Sequence, residues 1–352
     1  MGERAAQVVV TTDRFDDDLA ELTDRYGFRV EQIFPADAPS TAVISRDGTT
    51  LRLEAGVPAR PVELRLSVAS RRGPVRLPGG TRIVFTVDDS TIDVPPCRPT
   101  LAIRHHDGDA SPGRAGMRYH DLIPDRWGGR YIASIISIPD GGPVPDYVHY
   151  HRVRFQMIAV KRGWAKVVYE GQGEPFVMHA GDVVTQPPGI RHRVLEASPG
   201  LEVVEVSCPA EHETIADWSH VLPDEPASTD RTWDGQRFVR HVHADAAWVP
   251  GRLVGWEACD TGIAAGTEGD ADVRIVRPSG AGTIGDDLLR FDSEFALVVV
   301  LDGSVQFIAD GRPAVLLTDG SSVAVPADLP HRFLEPSPDC LMLVVTVPAR
   351  RR

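Results

Sequence analysis

Lysine is almost missing from this chain of 352 residues: only Lys161 and Lys166 occur, the other basic residues all being arginine. With 37 Lys plus Arg against 50 Asp plus Glu, the formal net charge is −13. A concentrated basic face for phosphates is therefore lacking, which argues against a nucleic-acid or membrane-surface protein. Cysteine is scarce too. Cys97, Cys208, Cys259 and Cys340 lie far apart with no C-x-x-C pair, so neither a disulfide framework nor a cysteine zinc site is indicated. No run approaches the roughly 18 apolar residues of a membrane span, and Met1 to Asp18 contains no signal-like apolar stretch. The expectation is a soluble, cytoplasmic protein.

What is present fits a globular chain, with 42% apolar and 25% charged residues. The 32 Gly and 29 Pro, spread throughout, indicate many turns between short strands. The length suggests two or three domains at about 100 to 200 residues each.

The first segment reads β-α-β-β-β. The run Val8-Val9-Val10 is followed by Phe15, Leu19, Leu22 and Tyr26 at helical spacing, and Gly27 ends the helix. Alternating runs then cover 28–34, 42–46 and 50–54, with Asp47-Gly48 as a hairpin turn. This order, with Gly27-Phe28-Arg29-Val30 and Leu51-Arg52-Leu53-Glu54, resembles one module of the vicinal oxygen chelate (glyoxalase-like) superfamily over residues 1–60. Modules of that family pair to form a metal cup using a His on the first strand and a Glu on the last. Glu54 stands at the second place, but the first strand offers only Ala6 and Gln7, so a docking or dimerisation role is expected. Residues 61–114 read as a β-rich connecting segment.

An internal repeat organises the remainder. His192-Arg193-Val194-Leu195-Glu196-Ala197-Ser198-Pro199 recurs as His331-Arg332-Phe333-Leu334-Glu335-Pro336-Ser337-Pro338, six identities in eight positions. Gly181 and Pro187 precede the first copy at the spacing with which Gly320 and Pro326 precede the second, and Pro-Ala follows each His by 17 positions. Two duplicated all-β units result, at 115–215 and 240–350, joined by a Pro-, Asp- and Ser-rich linker at 216–239.

Within the first unit, His149 and His151 are two apart in a strand-like run and project to one face. Gln156, Gly163, Gly181, Pro187, Gly189 and His192 follow. This pattern resembles the two cupin motifs, G-x5-H-x-H-x4-E-x6-G and G-x5-P-x-G-x2-H, with Pro143 and Gln156 replacing the first Gly and the Glu. The resemblance implies a mainly β bicupin fold, two jelly-roll barrels preceded by the small α+β module. It also implies a divalent transition metal on His149, His151, Gln156 and His192. Fe(II) is favoured, and Mn, Ni, Co, Cu or Zn are accepted by such ligands. Gln156 is either a ligand or a hydrogen-bonding neighbour of a three-His face. An amide adds no charge, so three imidazoles with Gln leave the ion at +2, which suits an anionic substrate.

In the second unit the same spacing from Gly303 places Leu289, Phe291 and Ala296 where His149, His151 and Gln156 stand, so that barrel is expected to be metal-free. Tyr147 and Glu196 are candidate acid or base groups, on alternation with the ligands. Arg154 is the candidate binder of a substrate carboxylate. His241-Val242-His243 lacks a third ligand at workable spacing, and His105, His106 and His120 have no assigned role. Gly280 to Gly285 matches G-x-G-x-x-G but is not followed by a helix, so a nucleotide site is not expected.

The functional expectation is a mononuclear non-haem iron dioxygenase acting on a small phenolic, enolic or carboxylate substrate with O2. The alternatives are a non-redox isomerase, cyclase or lyase, and a metabolite-binding regulatory cupin. A homodimer is implied by the resemblance.

Overall fold

Strand β1 (Val8–Thr12) and helix α1 (Phe15–Ala20), which continues through a wider turn at Glu21–Arg25, open the computed structural model. It describes residues 6–70, 72–87, 92–106, 110–280, 284–285 and 287–348. The chain divides into two compact units, 1–91 and 92–352.

In the first unit the helix is held by its apolar face and by one polar anchor. Phe15 and Leu22 are buried, and the buried Asp18 carboxylate accepts from Thr12 Oγ1 at 2.7 Å and from the Gly79 amide at 2.9 Å. Three strands follow: β2 (Arg29–Phe34), β3 (Thr41–Arg46) and β4 (Thr49–Ala55). They complete a sheet in the order β1-β4-β3-β2, in which β1 and β4 are parallel. The β3–β4 turn is Asp47-Gly48, both at positive φ (46° and 76°), the conformation that makes this dipeptide a hairpin signal. The β-α-β-β-β order expected from the sequence is therefore present. The unit does not stop at residue 60, however. Strands β5 (Glu63–Val68), β6 (Val75–Arg76) and β7 (Arg82–Val87) form a second small sheet within it, and Leu77 and Ile83 join Leu51 and Leu53 in its core. Glu54 is paired with Arg52 at 2.6 Å.

The second unit is mainly β and contains two barrels. The first consists of strands β9 to β20, which β8 precedes in the chain. Their bounds are β8 (Ala102–Arg104), β9 (Ser111–Pro112), β10 (Arg118–Asp121), β11 (Ile132–Ile138), β12 (Gly142–Pro143), β13 (His149–His151) and β14 (Phe155–Arg162). After these come β15 (Trp164–Tyr169), β16 (Phe176–His179), β17 (Val183–Thr185), β18 (His192–Ala197), β19 (Leu201–Cys208) and β20 (Thr214–Ala216). One wall is the sheet β17-β14-β19-β11-β10-β9, and the other is β16-β15-β18-β13-β20.

The barrels exchange strands. β8, which precedes the first barrel in the chain, pairs with Ser322–Pro326 of the second. The strand Arg240–His241, which precedes the second barrel, pairs with β17 of the first. The connecting segment read at 61–114 thus gives β8 to the second barrel, and the start of the unit read as the second barrel, at 240–241, gives a strand to the first.

Alternation sorts the side chains of the two large sheets. Along β14, Phe155, Met157 and Ala159 enter a cluster shared with Phe295, Leu297 and Val299 of the second barrel, whereas Val160 lines the interior of its own barrel. Both faces of these strands are buried, which is why they read as continuous apolar runs rather than polar-apolar alternation. Phe295 stacks on Tyr131 at 4.2 Å and meets Trp127 edge-on at 5.1 Å. Among the described residues no helix is long and apolar enough to cross a membrane.

Candidate metal centre

The register of β13 against β18 sets His149 opposite His192, and β13 carries His151 on the same face two positions on. The three rings lie 4.4 to 5.2 Å apart, and one ligand nitrogen from each falls within 4.8 Å of the others.

Each ring is pinned by its Nδ1. His149 Nδ1 lies 2.8 Å from the Tyr147 carbonyl oxygen, His192 Nδ1 3.0 Å from that of Ile190, and His151 Nδ1 3.0 Å from Thr214 Oγ1. A carbonyl only accepts, so Nδ1 of His149 and of His192 carries the proton and Nε2 carries the lone pair. This is the outer-partner arrangement that fixes ring and tautomer in metal-ligating histidines. Burial keeps the rings neutral. It pushes His192 down to about 3, helped by the neighbouring His149, and it lowers His151 and His149 as well, the latter also because of Arg114. Neutral, oriented imidazoles whose ligand nitrogens lie within 4.8 Å of one another fit a divalent transition ion.

The histidines open into a cavity of about 560 Å³ inside the first barrel. Its walls include Met117, Ile136, Ile158, Val167 and Val203, and its polar groups include Arg114, Gln186, Glu205 and His212.

Gln156 is 1% exposed and lies on β14, two positions before the cavity-lining Ile158. Its Nε2 donates to Glu205 Oε1 at 2.5 Å, while its Oε1 is buried without a hydrogen-bond partner. Tyr147 is half-buried, lies edge-on to His149 at 5.8 Å and against the exposed Trp218 at 5.0 Å, and is not part of the cavity wall.

Two expectations are corrected. Glu196 is exposed and faces away from the ligands. A β-bulge at Leu195 is the reason: Lys166 pairs with Glu196 but Val167 with Val194, so the extra residue reverses alternation beyond it and turns Ala197 inward in place of Glu196. Arg154 is also exposed. It lies in a bend between β13 and β14 and pairs with Asp270 of the second barrel at 3.5 Å.

The arginine that meets the histidines is instead Arg114. It reaches the site from the segment before β10, with Nη1 2.5 Å from Asp146 Oδ1 and Nη2 2.8 Å from His149 Nε2. Asp146 is buried and also accepts from the Val194 amide at 3.0 Å. Burial raises its carboxyl, but His149, this amide and Arg114 outweigh that and hold it below the usual range. Three groups escaped the sequence reading: Arg114, Glu205 and His212. Glu205 could have been found by running the alternation of β19 inward from Val203. His212 lies two positions beyond the repeated Pro209-Ala210, and its Nδ1 is 2.9 Å from the Pro209 carbonyl oxygen.

In the second barrel Leu289 stands opposite His331, as His149 stands opposite His192. His331 keeps the same brace, Nδ1 to the Leu329 carbonyl at 2.9 Å, but Phe291 stacks on its ring at 4.9 Å. His241 lies near Cys259 Sγ at 3.8 Å, and His106 contacts Glu202 at 3.4 Å and the ring of His120 at 5.0 Å. Of the run Gly280 to Gly285, residues 281 to 283 lie outside the described residues.

The family model for the Cupin domain matches residues 134–206, the stretch that contains all three histidines. No curated protein matches the chain. Among solved structures, the protein Ylba from E. coli is similar at 10% identity and a TM-score of 0.52, covering 72% of this chain and 93% of that one. Oxalate decarboxylase from Lactobacillus farciminis is similar at 13% identity and 0.51, covering 72% and 88%. Salicylate 1,2-dioxygenase from Pseudoaminobacter salicylatoxidans is similar at 14% identity and 0.51, covering 74% and 88%. The first barrel is a Cupin domain, and the two-barrel fold is bicupin-like.

Proposed function

We propose that this chain is a metal-dependent bicupin enzyme, its one divalent transition metal, Fe(II) for preference, held by His149, His151 and His192 of the first barrel. The convergence of three Nδ1-pinned imidazoles on a largely apolar cavity carries this reading. The reaction class we favour is dioxygenation of a small anionic organic substrate, phenolic, enolic or carboxylate. Once bound, such an ion supplies a redox-active centre with open positions for substrate and O2.

The residues of the chain do the rest. Arg114 is the cationic group of the cavity nearest the histidines, and a substrate carboxylate there would replace His149 as the acceptor of its Nη2 proton. The apolar walls hold the body of the substrate and exclude water, which strengthens that ion pair. Two neighbours of the same fold act on small organic anions by name, an oxalate decarboxylase and a salicylate dioxygenase, and a third, the oxalate decarboxylase from Bacillus subtilis, has Mn(II) centres. They support the substrate class and leave the metal open among first-row ions.

One observation favours the second reading, a non-redox isomerase, cyclase or lyase. Glu205 and His212 both line the cavity, and either could move a proton for a substrate polarised by the ion.

Metal analysis by plasma mass spectrometry on untagged protein, followed by oxygen uptake with a panel of aromatic and enolic acids, tests the proposal. About one equivalent of iron and substrate-dependent O2 consumption are expected. Turnover of a panel member under strict anaerobiosis would transfer the assignment to the non-redox reading. Protein that binds no divalent metal after reconstitution would sink both.

A further inference from the structure

Residue 156 is where the cupin motif carries its carboxylate, and here it is an amide. The nearest carboxylate lies one strand across. Gln156 pairs with Ser207 of β19, and Glu205, one inward position along, accepts from Gln156 Nε2 at 2.5 Å and from Ser207 Oγ at 3.4 Å. A carboxylate offers no proton of its own, so Glu205 dictates how the Gln156 amide lies: nitrogen toward residue 205, oxygen away from it. That oxygen is sealed from solvent and has no hydrogen-bond partner, an arrangement that costs stability unless the atom is put to use.

We propose that Glu205 is a positioning residue of the metal site, which turns the Gln156 oxygen into the fourth ligand and returns, from the neighbouring strand, the negative charge that residue 156 lacks. The inference rests on the metal reading above. The carboxylate and amide have in effect changed places: the atom that would touch the ion is neutral and the charge is held one hydrogen bond away. The ion is thereby compensated, while its attraction for an anionic substrate is weakened less than a directly bound carboxylate would weaken it.

The full-length protein titrated with Mn(II), followed by the electron paramagnetic resonance of free Mn(II), tests this with the variants E205Q and Q156E/E205Q. Loss of an outer partner of this kind predicts a 10- to 100-fold weaker Mn(II) affinity for E205Q. The exchange Q156E/E205Q keeps one carboxylate and one amide in contact, so its affinity should return to within about threefold of the parent. Its Cu(II) spectrum should shift, because a carboxylate oxygen then replaces an amide oxygen at the ion, an effect a merely structural contact would not produce. E205Q with parental affinity, or an exchanged variant as weak as E205Q, overturns the inference and leaves the three-histidine site standing. If E205Q does not fold, the exchanged variant alone decides by the same criterion. A parent protein that binds no Mn(II) overturns the metal reading and this inference together.

Discussion

Arg114 Nη2 lies 2.8 Å from His149 Nε2, the nitrogen His149 would present to a metal, while Nη1 of the same guanidinium is held by the buried Asp146. A cation thus sits on a ligand atom. To hold a divalent ion, His149 Nε2 would have to give up this N–H, and Nη2 would then be free for an anion. For Arg114→Met the expectation is metal binding tighter by about fivefold in the absence of substrate, since a competing hydrogen bond of about 1 kcal/mol is gone. Binding of benzoate to the metal-loaded protein should weaken by about tenfold or more, because a charge-assisted contact is lost. Isothermal titration with Mn(II), and then with benzoate, reads both; unchanged benzoate affinity would remove Arg114 from substrate binding.

Truncation of the ligands gives the sharpest contrast. His149→Ala and His192→Ala each delete one of three converging nitrogens, and two imidazoles should hold a divalent ion at least about a hundredfold more weakly. Retention of one equivalent of metal by either variant, measured after gel filtration, would contradict the site.

The metal-free protein should lose stability as pH falls. His149, His151 and His192 are all depressed below the usual histidine value, chiefly by burial. The folded state therefore binds fewer protons than the unfolded chain once pH drops below about 6.5, and each such group lowers stability by at most about 1.4 kcal/mol per pH unit. This stabilisation is whole above pH 6.5 and declines toward the folded value, about 3 for His192. Thermal melting between pH 7.5 and 4.5 should show a falling Tm, with a shallower slope in His192→Gln. A slope unchanged by that variant would mean that the unfolding proton uptake lies elsewhere.

The contact between the barrels should be sensitive to one lysine. Lys161 is buried on β14 and pairs with Glu202 at 2.7 Å and with Asp319 of the second barrel at 2.8 Å. Burial raises the Glu202 carboxyl but Lys161 outweighs it, so the group titrates below its usual range. Lys161→Met removes the cation that Glu202 and Asp319 share, leaving Asp319 to the exposed Arg162 at 2.8 Å and Glu202 to His106 at 3.4 Å, and about 2 kcal/mol of destabilisation is expected by urea unfolding. Phe295→Ala, which removes a fully buried ring stacked on Tyr131, should cost about 3 to 5 kcal/mol.

Much of the architecture was legible in linear order. The duplication stood in the His192 and His331 octapeptides, which fold as corresponding strands, each with its histidine braced at Nδ1. The histidine triad followed from an H-x-H and a second motif at set spacing, because spacing along strands of known period places side chains on one face. The β-α-β-β-β opening was equally clear, since a helical and a strand period alternate there.

The errors have two physical origins. Alternation extrapolates correctly only while a strand is regular, and the bulge at Leu195 turned Glu196 outward without leaving a mark in the sequence. Domain limits drawn from composition missed the exchanged strands at 102–104 and 240–241, because pairing with a distant partner depends on where the partner folds.

What the sequence determined by itself, then, was local and periodic: a mainly β chain, a duplicated barrel, and His149, His151 and His192 on one face. What only the tertiary structure decided was which residues from remote segments meet them. Arg114 reaches His149 from 35 positions upstream and Glu205 meets Gln156 from 49 positions downstream. Such contacts are made by closure of the barrel, which brings together strands whose separation along the chain carries no period to read.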